Sequence, residues 1–280
     1  YGFKVMYTFN SKGCLLSWNQ PIVMGIRNVT PDSFYYGSRI GSRERLLREA
    51  EEMLNEGAKI LDIGGMSSRP SAADISIDEE LNRTIPAIED ISRHFPHTFI
   101  SVDSYRLPVI ENALDAGACL INDISGGQEP AILDLAARKV VPYICMHMRG
   151  TPQTMQKLTD YEDLTRDVLD YFIRQKADCI QRGIKDLIID PGFGFAKKPA
   201  QNFQLLKHLS VLKMLELPVM VGLSRKSSIY KTLGITAEEA LNGTTVMNTL
   251  ALQNGASVLR VHDVKEAVET VRLWTKYREA

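Results

Sequence analysis

Leu107-Pro108-Val109-Ile110-Glu111-Asn112-Ala113-Leu114-Asp115-Ala116-Gly117-Ala118-Cys119-Leu120-Ile121-Asn122-Asp123-Ile124 contains a complete passage from helix to strand. Val109, Ile110, Ala113 and Leu114 recur at helical spacing. They follow Pro108, whose fixed φ and missing N–H suit a first helical turn. Gly117 ends the pattern, and 119–124 reads as a strand whose apolar start, Cys119-Leu120-Ile121, shows no alternation before the polar Asn122-Asp123. The same junction returns as Glu56-Gly57-Ala58 and Asn254-Gly255-Ala256. One αβ turn used three times predicts βα units around a parallel sheet.

Working outward, eight apolar runs read as strands: 22–26, 59–63, 98–103, 119–124, 142–147, 186–190, 218–223 and 257–262. Helical periodicity covers 43–56, 78–95, 107–116, 130–138, 163–182, 202–215, 237–253 and 264–278, so each strand is followed by its own helix. From Asn28 to His262 there are seven steps of about 33 residues, near the size of one βαβ unit. The fold class is α/β, a (β/α)8 TIM barrel. No linker or low-complexity stretch divides it. The expected organisation is a hairpin extension over 1–20, with strands on either side of Asn10-Ser11-Lys12-Gly13 plugging one end of the barrel, and one barrel domain over 21–280.

Composition narrows the function. With 33 Lys+Arg against 34 Asp+Glu the net charge is −1, which leaves no electrostatic footprint for nucleic acid or an anionic membrane. Four cysteines, Cys14, Cys119, Cys145 and Cys179, lack a C-x-x-C pair and read as reduced thiols. Residues 1–10 lack a basic segment followed by an apolar one, and no stretch has the ~18 apolar residues of a membrane span. A cytoplasmic protein is the expectation.

In a parallel barrel the chemistry gathers where the strands end. Those ends carry Asn28; Asp62 with Ser68 and Arg69; Asp103; Asn122; Met146 with His147; Asp190; Ser224, Arg225 and Lys226; and Arg260 with His262. A single Asp or Asn there is commonly a helix N-cap, but eight polar ends together call for a ligand. Asp103, Asn122 and Asp190 follow apolar runs, so they face a dry mouth, where a carboxylate is costly unless a donor pairs with it. An amino-pyrimidine edge supplies adjacent N–H donors, and Lys226 suits its carbonyl. Arg69, Arg260, His262 and Ser68 suit phosphate oxygens. Gly192 and Gly194 allow close backbone approach, with Phe195 as an aromatic wall. His94 and His97 fall at the opposite mouth and His208 in a helix, so a His-rich metal centre is not expected. Mg²⁺ held by Asn28 and ligand phosphates is compatible with the pattern. His147 reads equally well as a buried structural residue.

Together these motifs resemble the dihydropteroate synthases. The resemblance runs from Met24-Gly25-Ile26-Arg27-Asn28-Val29-Thr30-Pro31-Asp32-Ser33-Phe34 through Asp62-Ile63-Gly64-Gly65, Ser68-Arg69-Pro70, Ser101-Val102-Asp103 and Ile121-Asn122-Asp123-Ile124-Ser125-Gly126-Gly127. It continues through Met146-His147-Met148-Arg149-Gly150-Thr151-Pro152, Asp190-Pro191-Gly192-Phe193-Gly194-Phe195, Ser224-Arg225-Lys226-Ser227, Gly243-Thr244-Thr245 and Arg260-Val261-His262-Asp263. Membership implies a TIM barrel that joins 6-hydroxymethyl-7,8-dihydropterin diphosphate to p-aminobenzoate, releasing diphosphate, in folate biosynthesis. By that resemblance Asp103, Asn122, Asp190 and Lys226 clamp the pterin, with Met146 lining its pocket, and Asn28 is the Mg²⁺ ligand. Arg69, Arg260 and His262 bind diphosphate and, with Lys226, form the catalytic group. Ser68, Pro70, Phe195 and Ser224 shape the p-aminobenzoate pocket. The implied route is SN1-like: diphosphate leaves the exocyclic methylene and the aryl amine captures the cation. A homodimer through the last helices, involving Trp274 and Tyr277, is also implied.

Four residues depart from the family pattern: Tyr36 where an acid is usual, Met66 for a glutamate or aromatic, Ser68 for threonine, and Ser71 for glycine. All lie in the two loops after the first and second barrel strands, so the expectation is altered loop closure and altered sulfonamide sensitivity. Three rival readings use the same residues: a pterin barrel that transfers methyl groups to a corrinoid, an inactive pterin-binding paralogue, and a Schiff-base aldolase using Lys226.

Overall fold

The structure is a computed structural model describing residues 6–29, 39–66 and 75–280. Strands β1 (Tyr7–Ser11) and β2 (Cys14–Trp18) form an antiparallel hairpin. Its turn is the two residues Lys12-Gly13, both at positive φ, rather than the longer turn expected from the sequence. The barrel strands are β3 (Ile22–Asn28), β4 (Ile60–Gly64), β5 (Phe99–Asp103), β6 (Leu120–Asp123), β7 (Tyr143–Met146), β8 (Leu187–Asp190), β9 (Met220–Val221) and β10 (Val258–Val261). All pair in parallel, in the order β8-β7-β6-β5-β4-β3-β10-β9. The ring closes through a bridge between Ile189 and Val219, with Ile189 N–H donating to Pro218 C=O at 3.1 Å.

Outside the ring run α1 (Arg39–Glu56), α2 (Ile77–His94), α3 (Leu107–Ala116), α4 (Pro130–Lys139), α5 (Leu164–Arg182) and α6 (Pro199–Lys207). They are followed by α7 (Ser227–Leu233), α8 (Leu241–Gln253) and α9 (Val264–Glu279). Two expectations are corrected. The helix expected over 202–215 is α6 followed by a 3₁₀ segment, Leu209–Leu215, and β9 is followed by two helices because Gly234 stops α7 in the left-handed conformation.

Strand register separates the ligand end of the barrel from its plugged end. Met24 pairs with Ile60, Ile60 with Phe99, and Ile144 with Ile188, building an apolar layer near the strand starts. Phe9 and Trp18 of the hairpin seal that layer, their rings 4.8 Å apart edge to face. Lys12 ties the hairpin to the carbonyls of Leu114 and Ala118 beside the end of α3, and the N–H of Asn10 donates to Asp186. Further along the same inward-facing rows polar residues replace apolar ones: Asp62 pairs with Ser101, Asp103 with Asn122, and Met146 with Asp190.

Candidate active site

Because side chains alternate along a strand, residues in register on neighbouring strands point the same way. Asp103 and Asn122, register partners on β5 and β6, therefore share the barrel mouth with Asp62 and Asp190. Arg260 on β10 reaches across to this group. Its Nε–H donates to Asp62 Oδ2 at 2.6 Å and its Nη2–H to Asp103 Oδ2 at 2.6 Å. Asn122 Nδ2 donates to the same Asp62 oxygen at 3.1 Å. The other Asp62 oxygen and the Ser101 hydroxyl are buried without a hydrogen-bond partner among the described residues.

Burial dominates the electrostatics. It pushes Asp103 up to about 7, against the pull of the Arg260 guanidinium, and Asp62 adds to the rise. Asp190 is raised for the same reason, although Lys226 and the Gly192 N–H, 2.8 Å from Asp190 Oδ1, oppose this. Lys226 is lowered to about 8 by burial, with Asp190 opposing. Burial also works against the charge on Arg260, but Asp62 and Asp103 outweigh it and hold the guanidinium firmly protonated.

Lys226 crosses to the loop after β8, where Nζ donates to Phe193 C=O and stands 4.8 Å from the centroid of the Phe195 ring. Met146 and Phe195 join Ile124, Met148 and Met155 in an apolar cluster at this end, with Tyr105 packed against it. Ser224 Oγ and His262 Nδ1 are 3.1 Å apart, linking the loops after β9 and β10. Arg225 braces the same two loops by a two-pronged pair with Asp263 (Nε to Oδ2 2.9 Å, Nη2 to Oδ1 2.8 Å) while held at φ 52°. Arg225 N–H donates to Thr244 at 3.0 Å, fixing that turn between Ser224 and Lys226.

Asp103, Asn122, Met146, Asp190, Phe195, Ser224, Lys226, Arg260 and His262 thus come from the ends of six strands, β5 to β10, and their loops to one mouth. Asn28 ends β3 at the same rim, half-buried. Among the described residues no group of three or more His, Cys, Asp or Glu could hold a metal ion. A lone amide oxygen fits a hard cation such as Mg²⁺, which retains waters and takes its remaining ligands from phosphate. Ser68, Arg69, Pro70, Tyr36 and Ser71 lie outside the described residues. The stems of the β4–α2 loop are anchored, Arg83 donating to Gly65 C=O at 3.1 Å and Arg106 to Ile75 C=O at 2.7 Å. Met66, on the first stem, is buried.

Two residues went unassigned in the sequence. Asp62 was visible as a strand-end acid, but its pairing with Arg260 joins residues 198 positions apart, which no local pattern reveals. Lys197 carried no signal at all. His147 is buried, with its Nδ1 3.0 Å from Lys197 Nζ.

A family model described as pterin binding enzyme matches residues 24–262. The dihydropteroate synthase of Escherichia coli (strain K12) is 44% identical over 265 residues, covering 94% of each chain. That of Haemophilus influenzae is 41% identical over 261 residues, 92% of this chain and 94% of the other. Among solved structures, Yersinia pestis dihydropteroate synthase in a sulfonamide drug complex matches with a TM-score of 0.91 at 42% identity, covering 98% of this chain and 100% of that one. Xanthomonas albilineans dihydropteroate synthase with 4-aminobenzoic acid matches with a TM-score of 0.89 at 38% identity, covering 98% of both chains. The motif-bearing strand ends, the barrel that gathers them and these likenesses agree: the chain belongs to the pterin-binding enzymes, among the dihydropteroate synthases, transferases of folate biosynthesis.

Proposed function

We propose that the barrel mouth joins 6-hydroxymethyl-7,8-dihydropterin diphosphate to p-aminobenzoate with the site residues in the roles that follow. The observation that carries this reading is the Arg260 fork between Asp62 and Asp103, beside Asn122 and Asp190. Buried acids that already need a cation suit a ligand edge rich in N–H donors. In this reading Asp103, Asn122 and Asp190 hold the amino-pyrimidine edge, Lys226 donates to the ring carbonyl, and Met146 flanks the ring.

The carbon–oxygen bond of the exocyclic methylene breaks and its electron pair leaves with the diphosphate. The aryl amine then forms the new carbon–nitrogen bond and gives up a proton to the released diphosphate or to water. Arg260, His262 and Arg69 donate hydrogen bonds to the leaving oxygens, where negative charge grows, so they stabilise the transition state more than the ground state. Phe195, Ser68, Pro70 and Ser224 hold p-aminobenzoate in line, replacing a bimolecular encounter with a positioned one. Asn28 holds Mg²⁺, which when bound neutralises charge on the diphosphate.

The enzyme is a homodimer through α8 and α9, supported by Val246, Leu250, Leu273 and Tyr277, all exposed at helical spacing on these adjacent helices. A cytoplasmic setting suits the free, buried Cys119, Cys145 and Cys179, and no helix among the described residues is long and apolar enough to cross a membrane. The departures at Tyr36, Met66, Ser68 and Ser71 alter the response to sulfonamides.

The test is diphosphate release by purified protein with Mg²⁺. Release that depends on p-aminobenzoate is expected, and pterin diphosphate binding without such release would overturn the reading. Asp103→Ala is expected to weaken pterin binding roughly 30-fold, the scale of one lost charged hydrogen bond. Unchanged affinity would mean the clamp has been assigned to the wrong residues.

A further inference from the structure

The loop after β8 carries Lys197 and Lys198 side by side, and their fates differ. Lys198 is exposed and pairs with Asp160. Lys197 is only 4% exposed, and its ammonium meets three acceptors, none of them an acid: Gly192 C=O, Phe195 C=O and His147 Nδ1, each at 3.0 Å. Three donors therefore meet three acceptors. A buried lysine that hydrogen-bonds no carboxylate is costly, with Asp190 only partly offsetting the burial, and a methionine would fill similar volume without that penalty. What the lysine adds is direction, since its bonds fix two carbonyls of one turn relative to a ring on the neighbouring strand end.

That turn is otherwise strained. Gly192 has φ 68° and lies so close to β7 that a Cβ would come 2.1 Å from His147 C=O, while Ala196 is held at φ 49°. Tyr161 O–H donates to Ala196 C=O at 3.0 Å, and His147 sits in an aromatic nest with its ring 4.9 Å from that of Tyr171. On the opposite side of the turn, toward the mouth, Lys226 bonds Phe193 C=O and faces the Phe195 ring. Burial lowers Lys197 to about 7, so little is lost if the amine sheds a proton, because a neutral amine still donates two of the three bonds.

We propose that Lys197 is a positioning residue for the aryl-amine substrate: by clamping Gly192 and Phe195 to His147 it sets the Phe195 ring as a wall of the amine pocket. The proposal rests on the reading of Phe195 as that wall. Asp190 is held on two sides: its C=O accepts from His147 N–H at 2.8 Å in the sheet, and its Oδ1 accepts from Gly192 N–H of the turn at 2.8 Å. Loss of the clamp therefore acts first on the amine, and reaches the pterin only through the single Gly192 N–H bond to Asp190, whose backbone stays in the sheet.

Steady-state kinetics on the full-length enzyme, combined with pterin diphosphate binding by calorimetry, test this. Lys197→Met is expected to raise KM for p-aminobenzoate about tenfold, with kcat at saturating amine and pterin diphosphate affinity both within about twofold of wild type. An unchanged amine KM, or equal losses for amine and pterin, would overturn the proposal. If Lys197→Met does not fold, His147→Phe, which keeps the aromatic packing and removes one acceptor, decides in its place. A rise of about threefold in amine KM alone supports the clamp, and no rise overturns it. Phe195→Ala separates the wall from the clamp that positions it. If that variant leaves the amine KM unchanged, the pocket assignment fails. If it raises KM while Lys197→Met does not, only the clamp fails.

Discussion

Asp103 shows how one residue links the site to the stability of the whole chain. Its carboxyl is held near 7 in the folded protein against an ordinary 3.8, so between these values the folded state keeps a proton that the unfolded chain has released. Stability contributed by this group is thus fully present below about 4 and lost as pH rises toward 7, by as much as ~4 kcal/mol. Asp103→Asn removes that loss. Urea midpoints measured from pH 4 to 7 should therefore fall less in the variant than in wild type, and parallel curves would show that Arg260 holds Asp103 ionised throughout. The residues needed for this reasoning were largely visible in the chain, since Asp103, Asn122 and Asp190 each follow an apolar run and so had to face a dry interior. The partner of Asp103 was not visible, because the contact with Arg260 spans 157 positions.

The secondary-structure elements divide the labour between the two ends of the barrel. The β1–β2 hairpin packs at the strand starts, where its Trp18 is buried against Phe9 and the apolar layer. Trp18→Ala is expected to cost about 3–5 kcal/mol of stability in chemical denaturation while leaving both substrate KM values unchanged. A changed KM would show that the plug is coupled to the opposite mouth. The elements themselves were legible where periodicity was long and punctuated: α3 begins and ends where Pro108 and Gly117 require. They were not legible where helices are short. The seven residues of α7 follow directly on the Ser224-Arg225-Lys226 turn, and too few apolar positions remain to show a period. The run 202–215 kept its apolar spacing across the break at His208, which hid the change from α-helix to 3₁₀.

At the scale of the whole molecule, the apolar stripes Val246/Leu250 and Leu273/Tyr277 lie on adjacent outer helices and stay exposed among the described residues. Sedimentation of the wild-type protein is expected to give a dimer, and Leu273→Asp combined with Tyr277→Asp a monomer that retains its fold by circular dichroism. A monomeric wild type would refute the dimer. The barrel and the identity of most residues at its mouth follow from local order: each βα unit carries its own start and stop signals and its own polar strand end, so reading the units in sequence also orders the site. Which of those residues touch, and which buried charges act indirectly, depends on closure of the ring. Lys197 and Lys198 are the same residue type in adjacent positions, yet one is buried among two carbonyls and an imidazole while the other faces solvent. Nothing local separates them, because the acceptors that make Lys197 tolerable come together only when the loop after β8 folds against the end of β7.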